Sequence, residues 1–370
     1  MDERALAVKR CVSDIEVADF VALDLEFSGL FLDAAKSGKV LSYEDYFAKC
    51  AESVPKFLAL QLGICCAQQR KENNGGETDR SGWDLRTHQL DLWPSEHRVF
   101  SVDLQSLRFL RSHGFDFNAF LEKAHPYQRL QKSATSATPK PLGAGQVMAA
   151  LRTAQVPLVV HNGLLDLLHL YDKFLGDLPE DFEDFGKAWL EHFPLTFDTR
   201  FVAQEGRLQV FKHPGGLSLQ TLFTHLRASS SLQLRSPEPT SQGASHSAGY
   251  DAYVTAAVFL MEMDAWLRFD RKKSEAPAEA PAEAAAEAPA EAPSQATTLE
   301  TETVEMAVQP TPGEEDEGWQ PARKRARKAR APALSDPSLL ENHKICRRFH
   351  NKIALVNTSP GFFVMGPPKG

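Results

Sequence analysis

Asp24 and Glu26 stand two residues apart in VALDLEFSGL, an apolar run with the character of a strand. Alternation along a strand sends both carboxylates to one face and Leu23, Leu25 and Phe27 to the other. Two acids side by side on an apolar strand repel each other and resist burial, so they need protons, basic partners or a cation. Taken alone, D-x-E at a strand end is also the pattern of an ordinary surface pair. A third acid, Asp166, follows the short buried strand PLVVH. His161, Asn162 and Gly163 make the turn after that strand, and Asp166 falls in the first turn of the next helix, at the carboxyl edge of the sheet. The fourth, Asp251, lies in the first turn of the long helix GYDAYVTAAVFLMEMDAWLRF, with His246 five residues ahead on the loop that feeds it. Singly, a first-turn acid merely favours a helix start and a loop histidine is merely solvated.

Together the pieces are far more specific. Four carboxylates and one imidazole converge at one sheet edge, and an all-oxygen ligand set of high negative charge suits Mg²⁺ or Mn²⁺ rather than zinc. Two such ions can clamp an in-line attack on a phosphodiester, one preparing the water and the other neutralising the leaving 3′ oxygen. His246, whose unperturbed pKa is close to working pH, is the candidate general base. Without metal the acids would repel a phosphate, so metal dependence is part of the reading.

The elements that must position these residues alternate between strand and helix signals. DFVALDLEFS, FLALQLGICCA, HQLDLWP and HRVFSVDL read as strands, and the segment around SYEDYFAKCAESV has helical spacing. LGAGQVMAALRTAQ, then PLVVH, then GLLDLLHLYDKFL give helix, strand and amphipathic helix. Strands first and strand–helix alternation afterwards predict an α/β fold, a mixed sheet flanked by helices.

Residues 272–335 differ in kind. The Ala/Pro/Glu repeat beginning SEAPAEAPAEAAAEAPAEAP is too poor in apolar bulk to offset its ordering entropy and reads as a long disordered insert. Near its end Arg323, Lys324, Arg325, Arg327, Lys328 and Arg330 crowd into PARKRARKAR, the signature of a nuclear localisation signal or a phosphate-binding tether; a solvated run balancing its acidic neighbours is the plainer alternative. Strand-like content resumes in NKIALVNTSPGFFV, so residues 336–370 are expected to rejoin the domain begun by residues 1–271.

The net charge of −8 argues poorly against a nucleic-acid partner, because much of the acid lies in the insert and more belongs to the candidate metal site. Five cysteines without C-x-x-C spacing point away from a disulfide framework or zinc site. The charged amino terminus has no apolar signal-peptide core and no run is long enough to span a bilayer, so a soluble, intracellular protein with no membrane partner is expected.

The order D-x-E, Asp, H-x-x-x-x-D resembles the DEDD exonuclease superfamily in its histidine-bearing subclass. ALDLEFSGL, FLALQLGICC, LRFLRSHGFDFNAFLEKAHPYQRL, PLVVHNGLLDLLHLYDKF and HSAGYDAYVTA resemble, more closely, the poly(A)-specific ribonuclease and CCR-associated deadenylase group, whose fold is ribonuclease-H-like. The resemblance covers most of residues 15–265 and resumes at 342–365. It implies a 3′→5′ exoribonuclease with Asp24, Glu26, Asp166 and Asp251 as ligands to two Mg²⁺ ions, replaceable by Mn²⁺, and His246 as base. It also implies substrate contacts from Phe27, Ser28 and Leu30, with His161 and Asn162 as weaker candidates; Phe27 and Leu30 could equally be core. The implied partners are single-stranded RNA 3′ ends, such as poly(A) or oligo(A/U) tails, and, through the basic run, a nuclear import receptor. The expected location is the nucleus, with subnuclear bodies or the nucleolus as sublocations. Trimming of small nuclear RNA tails, general mRNA deadenylation and an inactive RNA-binding scaffold remain open at this point. One departure stands out: a nuclear branch of the group carries a CCCH zinc finger before the histidine motif, where this chain has the cysteine-free LRASSSLQLRSPEPTSQGAS.

Overall fold

The computed structural model describes residues 2–32, 40–70, 82–130, 141–207, 209–213, 215–236, 247–275 and 344–366. His246, residues 276–335 of the expected insert and the basic run 323–330 within them therefore lie outside the described residues, while residues 272–275, expected to be disordered, continue a long helix. Residues 1–273 and 332–370 belong to one structural unit.

The chain opens with helix α1 (Glu3–Ile15), capped by the Asp2 carboxylate, and enters strand β1 (Phe20–Phe27). Strand β2 (Leu41–Ser42) leads into α2 (Tyr43–Ser53), which the Ser42 hydroxyl caps. Two long strands follow, β3 (Ala59–Gln69) and β4 (Trp83–Pro94). Helices α3 (Leu104–Ser112) and α4 (Phe117–Lys123) precede the short β5 (His125–Tyr127). Then α5 (Ala144–Ala154), β6 (Leu158–Val160) and α6 (Leu164–Leu170) follow, the last running on as a π-helical turn, Tyr171–Leu175. Next come α7 (Phe182–Leu190), β7 (Thr196–Asp198), α8 (Thr199–Gly206), α9 (Leu219–Ser229), β8 (Leu234–Arg235) and the long α10 (Ala248–Glu275). After the insert, α11 (Lys344–Phe349), β9 (Lys352–Ala354), β10 (Thr358–Ser359) and β11 (Phe362–Val364) complete the order.

The main sheet runs β11-β9-β7-β6-β1-β3-β4-β5, with β8 paired to β4. β1, β3 and β4 form an antiparallel meander, while β6, β7 and β9 add to β1 in parallel. This is the mixed sheet flanked by helices that the sequence predicted. Parallel β1 and β6 end at the same edge, so the carboxyl end of β1 and the turn into α6 are brought together.

Each sheet face has its own core. Val21, Leu23 and Leu25 of β1 pack with α1, α2, α5, α6 and α7, while Phe20 and Ala22 pack on the face covered by α10. Asp24 and Glu26 continue that second face. Its apolar half is sealed by Phe259 of α10, whose ring lies 5.1 Å from that of Phe20. One expected strand is absent: between His97 and Asp103 the chain is irregular. Pro94 closes β4, and the backbone groups that follow bond elsewhere, Ser101 N–H to Lys56 O and Asp103 N–H to Ser28 O. All five cysteines are buried and free. Among the described residues no helix is long and apolar enough to cross a membrane.

Candidate active site

Oxygen atoms of Asp24, Glu26 and Asp251 all lie within 4.8 Å of one another. The D-x-E pair reaches this position by the alternation of β1. Asp251 reaches it from the first turn of α10, and that approach depends on a residue with no side chain. Asp24 pairs in register with Gly63 of β3. A Cβ at Gly63 would come within 1.8 Å of the Ala248 carbonyl oxygen, so the start of α10 rests directly on the β3 backbone. Gln89 of β4 fixes the same point by accepting the Gly249 N–H at 3.2 Å.

Asp166 enters from the other side. It is buried in the first turn of α6 and accepts the Leu25 N–H at 2.9 Å, a bond that ties α6 to β1 between the two acids of the D-x-E pair. The turn before it is held by Asp198, wholly buried at the end of β7. That carboxylate accepts N–H groups from Asn162 at 2.9 Å, Gly163 at 3.3 Å, Arg200 at 2.9 Å and Ala354 at 3.1 Å. Asn162 takes a left-handed conformation, φ 53°. Asp198 thus fastens the Asp166 turn, the start of α8 and strand β9 to one point. Its burial pushes it up to about 6 against the four N–H groups.

The electrostatics of the cluster are unfavourable as they stand. Burial raises Asp24 well above the usual carboxylate range, and Asp166, Asp251 and Glu26 add to the effect. Burial and then Asp251 and Asp166 push Glu26 up to about 8. Burial also lifts Asp166 to about 8, against the N–H donation from Leu25. No basic side chain among the described residues offsets these shifts, so protons or cations must relieve them. The donor set is entirely oxygen and fits a hard divalent cation.

The remaining predicted contacts divide. Leu30 is 44% exposed and Phe27 half-buried beside the acids. Val102, 53% exposed, is held next to the same turn by the Asp103–Ser28 backbone bond. Ser28 is wholly buried, and its hydroxyl accepts the Leu58 N–H and donates to Ser101 O, so it braces the turn after β1. His161 bonds the Thr199 hydroxyl at 2.8 Å, and burial with the nearby Arg200 drives it down to about 3, leaving it neutral. Asn162 is exposed at the turn.

Residues 5–138 and 128–259 match the profile described as CAF1 family ribonuclease, a span that holds all four carboxylates and His246. The chain belongs to the CAF1 family of ribonucleases. Among its CAF1 relatives, the poly(A)-specific ribonuclease PARN of Danio rerio is 31% identical over 126 residues, covering 32% of this chain and 19% of that protein. The poly(A)-specific ribonuclease PNLDC1 of Mus musculus is 26% identical over 292 residues, or 51% of this chain and 54% of the relative. The pre-piRNA 3′-exonuclease trimmer of Bombyx mori is 32% identical over 130 residues, or 32% and 24%. This CAF1 chain therefore matches between about a fifth and a half of the length of these relatives. A solved structure of S. pombe Pop2p in a Mg²⁺- and Mn²⁺-bound form aligns with TM-score 0.46 at 19% identity, over 70% of this chain and 88% of that one.

Proposed function

We propose that this chain is a metal-dependent 3′→5′ exoribonuclease that removes nucleotides from single-stranded RNA 3′ ends and releases 5′-monophosphates. The observation that carries the reading is the convergence of Asp24, Glu26 and Asp251 within 4.8 Å, with Asp166 bonded to the backbone between the first two. Relatives named as poly(A)-specific ribonucleases and a 3′-exonuclease support the direction and the substrate class. Two Mg²⁺ ions, or Mn²⁺ in their place, would supply positive charge to the attacking and leaving oxygens when bound. The four carboxylates would hold those ions, and His246 would take the proton from the attacking water. Phe27 and Leu30 offer apolar surface for a terminal base, and stacking there is tolerant of base identity.

Within the family we propose that the chain resembles the nuclear exonuclease called target of early growth response protein 1, on HGFDFN, the HNGLLDLLHLYDKFLGDLP run, FDTRFVA and HNKIALV. That resemblance favours trimming or deadenylation of small nuclear RNA tails in the nucleus, with PARKRARKAR read by an import receptor. General mRNA deadenylation is the second reading. Oligonucleotides ending in A, U or C separate the two by rate, and a tagged chain lacking 323–330 should lose nuclear accumulation.

The purified chain is expected to shorten a 3′-tailed RNA in Mg²⁺ and to stop on addition of EDTA. His246→Ala should cut like wild type at no more than about one hundredth of the rate while still binding metal. Intact RNA after prolonged incubation in Mg²⁺ or Mn²⁺ would overturn the reading, and a full-speed His246→Ala would remove the base.

A further inference from the structure

A polar cavity of about 410 Å³ has Arg98, Tyr127, Arg129 and Lys173 in its lining. At its base Asp172, 2% exposed, meets three cations: Lys173 Nζ, Arg129 Nη2 at 3.1 Å and Arg98 Nη2 at 3.6 Å. One buried carboxylate does not balance three cations. The other acids nearby are at the surface, where solvent screens them: Asp177, whose side chain is 92% exposed, pairs with Arg129, and Glu96 is exposed on the rim beside His97. Lys173 is 1% exposed and donates to Asp172 and to Val54 O at 2.8 Å, so one of its three protons has no acceptor among the described residues. The Tyr127 hydroxyl, on a residue 3% exposed, also lacks a partner there, and it lies within the fields of Arg98 and Asp172. Buried donors rarely stay unspent. An unspent ammonium proton and phenol beside two guanidinium groups form the donor set of an oxyanion.

The cavity is mechanically joined to the acid cluster. Lys173 follows Asp166 by seven residues along α6 and its π-helical continuation, about 10 Å at the ~1.5 Å rise per residue of a helix. Between them lies His169, wholly buried, its ring 4.3 Å from that of Phe27, the neighbour of Glu26. The turn at residues 54–58 serves both places, since Val54 O and Pro55 O bind Lys173 and Arg98 while Leu58 N–H binds Ser28.

We infer that this cavity holds a backbone phosphate of the RNA strand, upstream of the 3′ end at the acid cluster. The inference rests on the exoribonuclease reading. It assigns the cavity a part in gripping the tail, none in bond cleavage.

The test compares wild type with Arg129→Gln and, separately, Arg98→Gln, on an eight-nucleotide RNA and on a dinucleotide too short to reach the cavity. On the longer RNA each variant should raise KM about five- to tenfold with kcat unchanged, as loss of a charge-assisted bond requires. On the dinucleotide each should match wild type, which also certifies folding. The slope of log affinity against log salt, measured by anisotropy in EDTA, should flatten by about 0.7 for one lost single-strand phosphate. One neutral methylphosphonate, moved along the strand, should weaken wild type most at one linkage upstream of the scissile one and leave Arg129→Gln indifferent there. Equal losses on both RNA lengths, or no sensitive linkage, would overturn the inference. So would thermal protection by inorganic phosphate that Arg129→Gln abolishes without any effect of RNA length, which assigns the cavity to a free anion. Wild type that binds RNA with the sensitive linkage yet leaves it uncut in Mg²⁺ would sink the exonuclease reading alone.

Discussion

Asp24→Asn should lower kcat/KM by on the order of a thousandfold or more, and should at the same time raise the melting temperature of the metal-free protein. The two effects have one cause. Asp24 is the acid whose charge is opposed by burial and then by Asp166, Asp251 and Glu26 together. Replacing one carboxylate oxygen by an amide keeps the shape and removes the charge, which relieves the fold and deprives a cation of its central ligand. Thermal melting with and without Mg²⁺ reads both sides: the variant should melt higher than wild type in EDTA and gain little from the ion. A metal-free variant that melts lower would show that the charge is not under strain.

The same strain sets a pH dependence for the wild type. Glu26 and Asp166 sit at about 8 in the fold, against ordinary values of 4.5 and 3.8 in the unfolded chain. Glu262, buried on α10 with neither carboxyl oxygen partnered among the described residues, is raised in the same direction by burial and by Asp198. Over this window the folded chain holds protons that the unfolded chain releases, so metal-free stability is highest below about pH 4 in this term and falls until about pH 8. Cations bind the deprotonated acids, so the Mg²⁺-induced rise in melting temperature should be larger at pH 8 than at pH 5.5. Scanning fluorimetry at the two pH values, with and without EDTA, checks the sign.

Gly63→Ala should cost on the order of a hundredfold in kcat while leaving every proposed ligand in place. The added methyl would collide with the Ala248 carbonyl at 1.8 Å and with Gly249 N at 2.6 Å, both backbone atoms that no rotamer change can move aside. The start of α10 must lift, and Asp251 leaves Asp24 and Glu26 with it. Weakened Mn²⁺ binding should accompany the lost rate. Activity within a fewfold of wild type would show that the acids do not need this spacing.

The acids themselves were legible because each reports locally. Alternation puts Asp24 and Glu26 on one face of β1, and a strand–turn–helix pattern puts Asp166 at a sheet edge. The residues that bring them together were not. Gly63 matters only through a residue 185 positions later, Ala248, and a glycine within a strand carries no local sign of what lies above it. Asp198 joins four separated N–H groups, of which only the one in its own helix start is visible in FDTRFVA. The family resemblance implies a substrate contact at Ser28, whose hydroxyl bonds the loop at 54–58 and Ser101. HRVFSVDL reads as a strand, but β4 ends at Pro94 and no neighbour among the described residues supplies a ladder. The cavity over Asp172 draws on residues 98, 127, 129 and 173, whose spacing forms no motif.

The central claim is that the four acids share divalent cations. Titrating Mn²⁺ into the metal-free chain near pH 8, with free ion counted by its electron paramagnetic resonance signal, tests it most directly. Two ions should bind per chain, with Asp24→Asn losing at least one of them and excess Mg²⁺ displacing both. A signal that grows linearly from the first addition, the same in wild type and variant, would contradict the account.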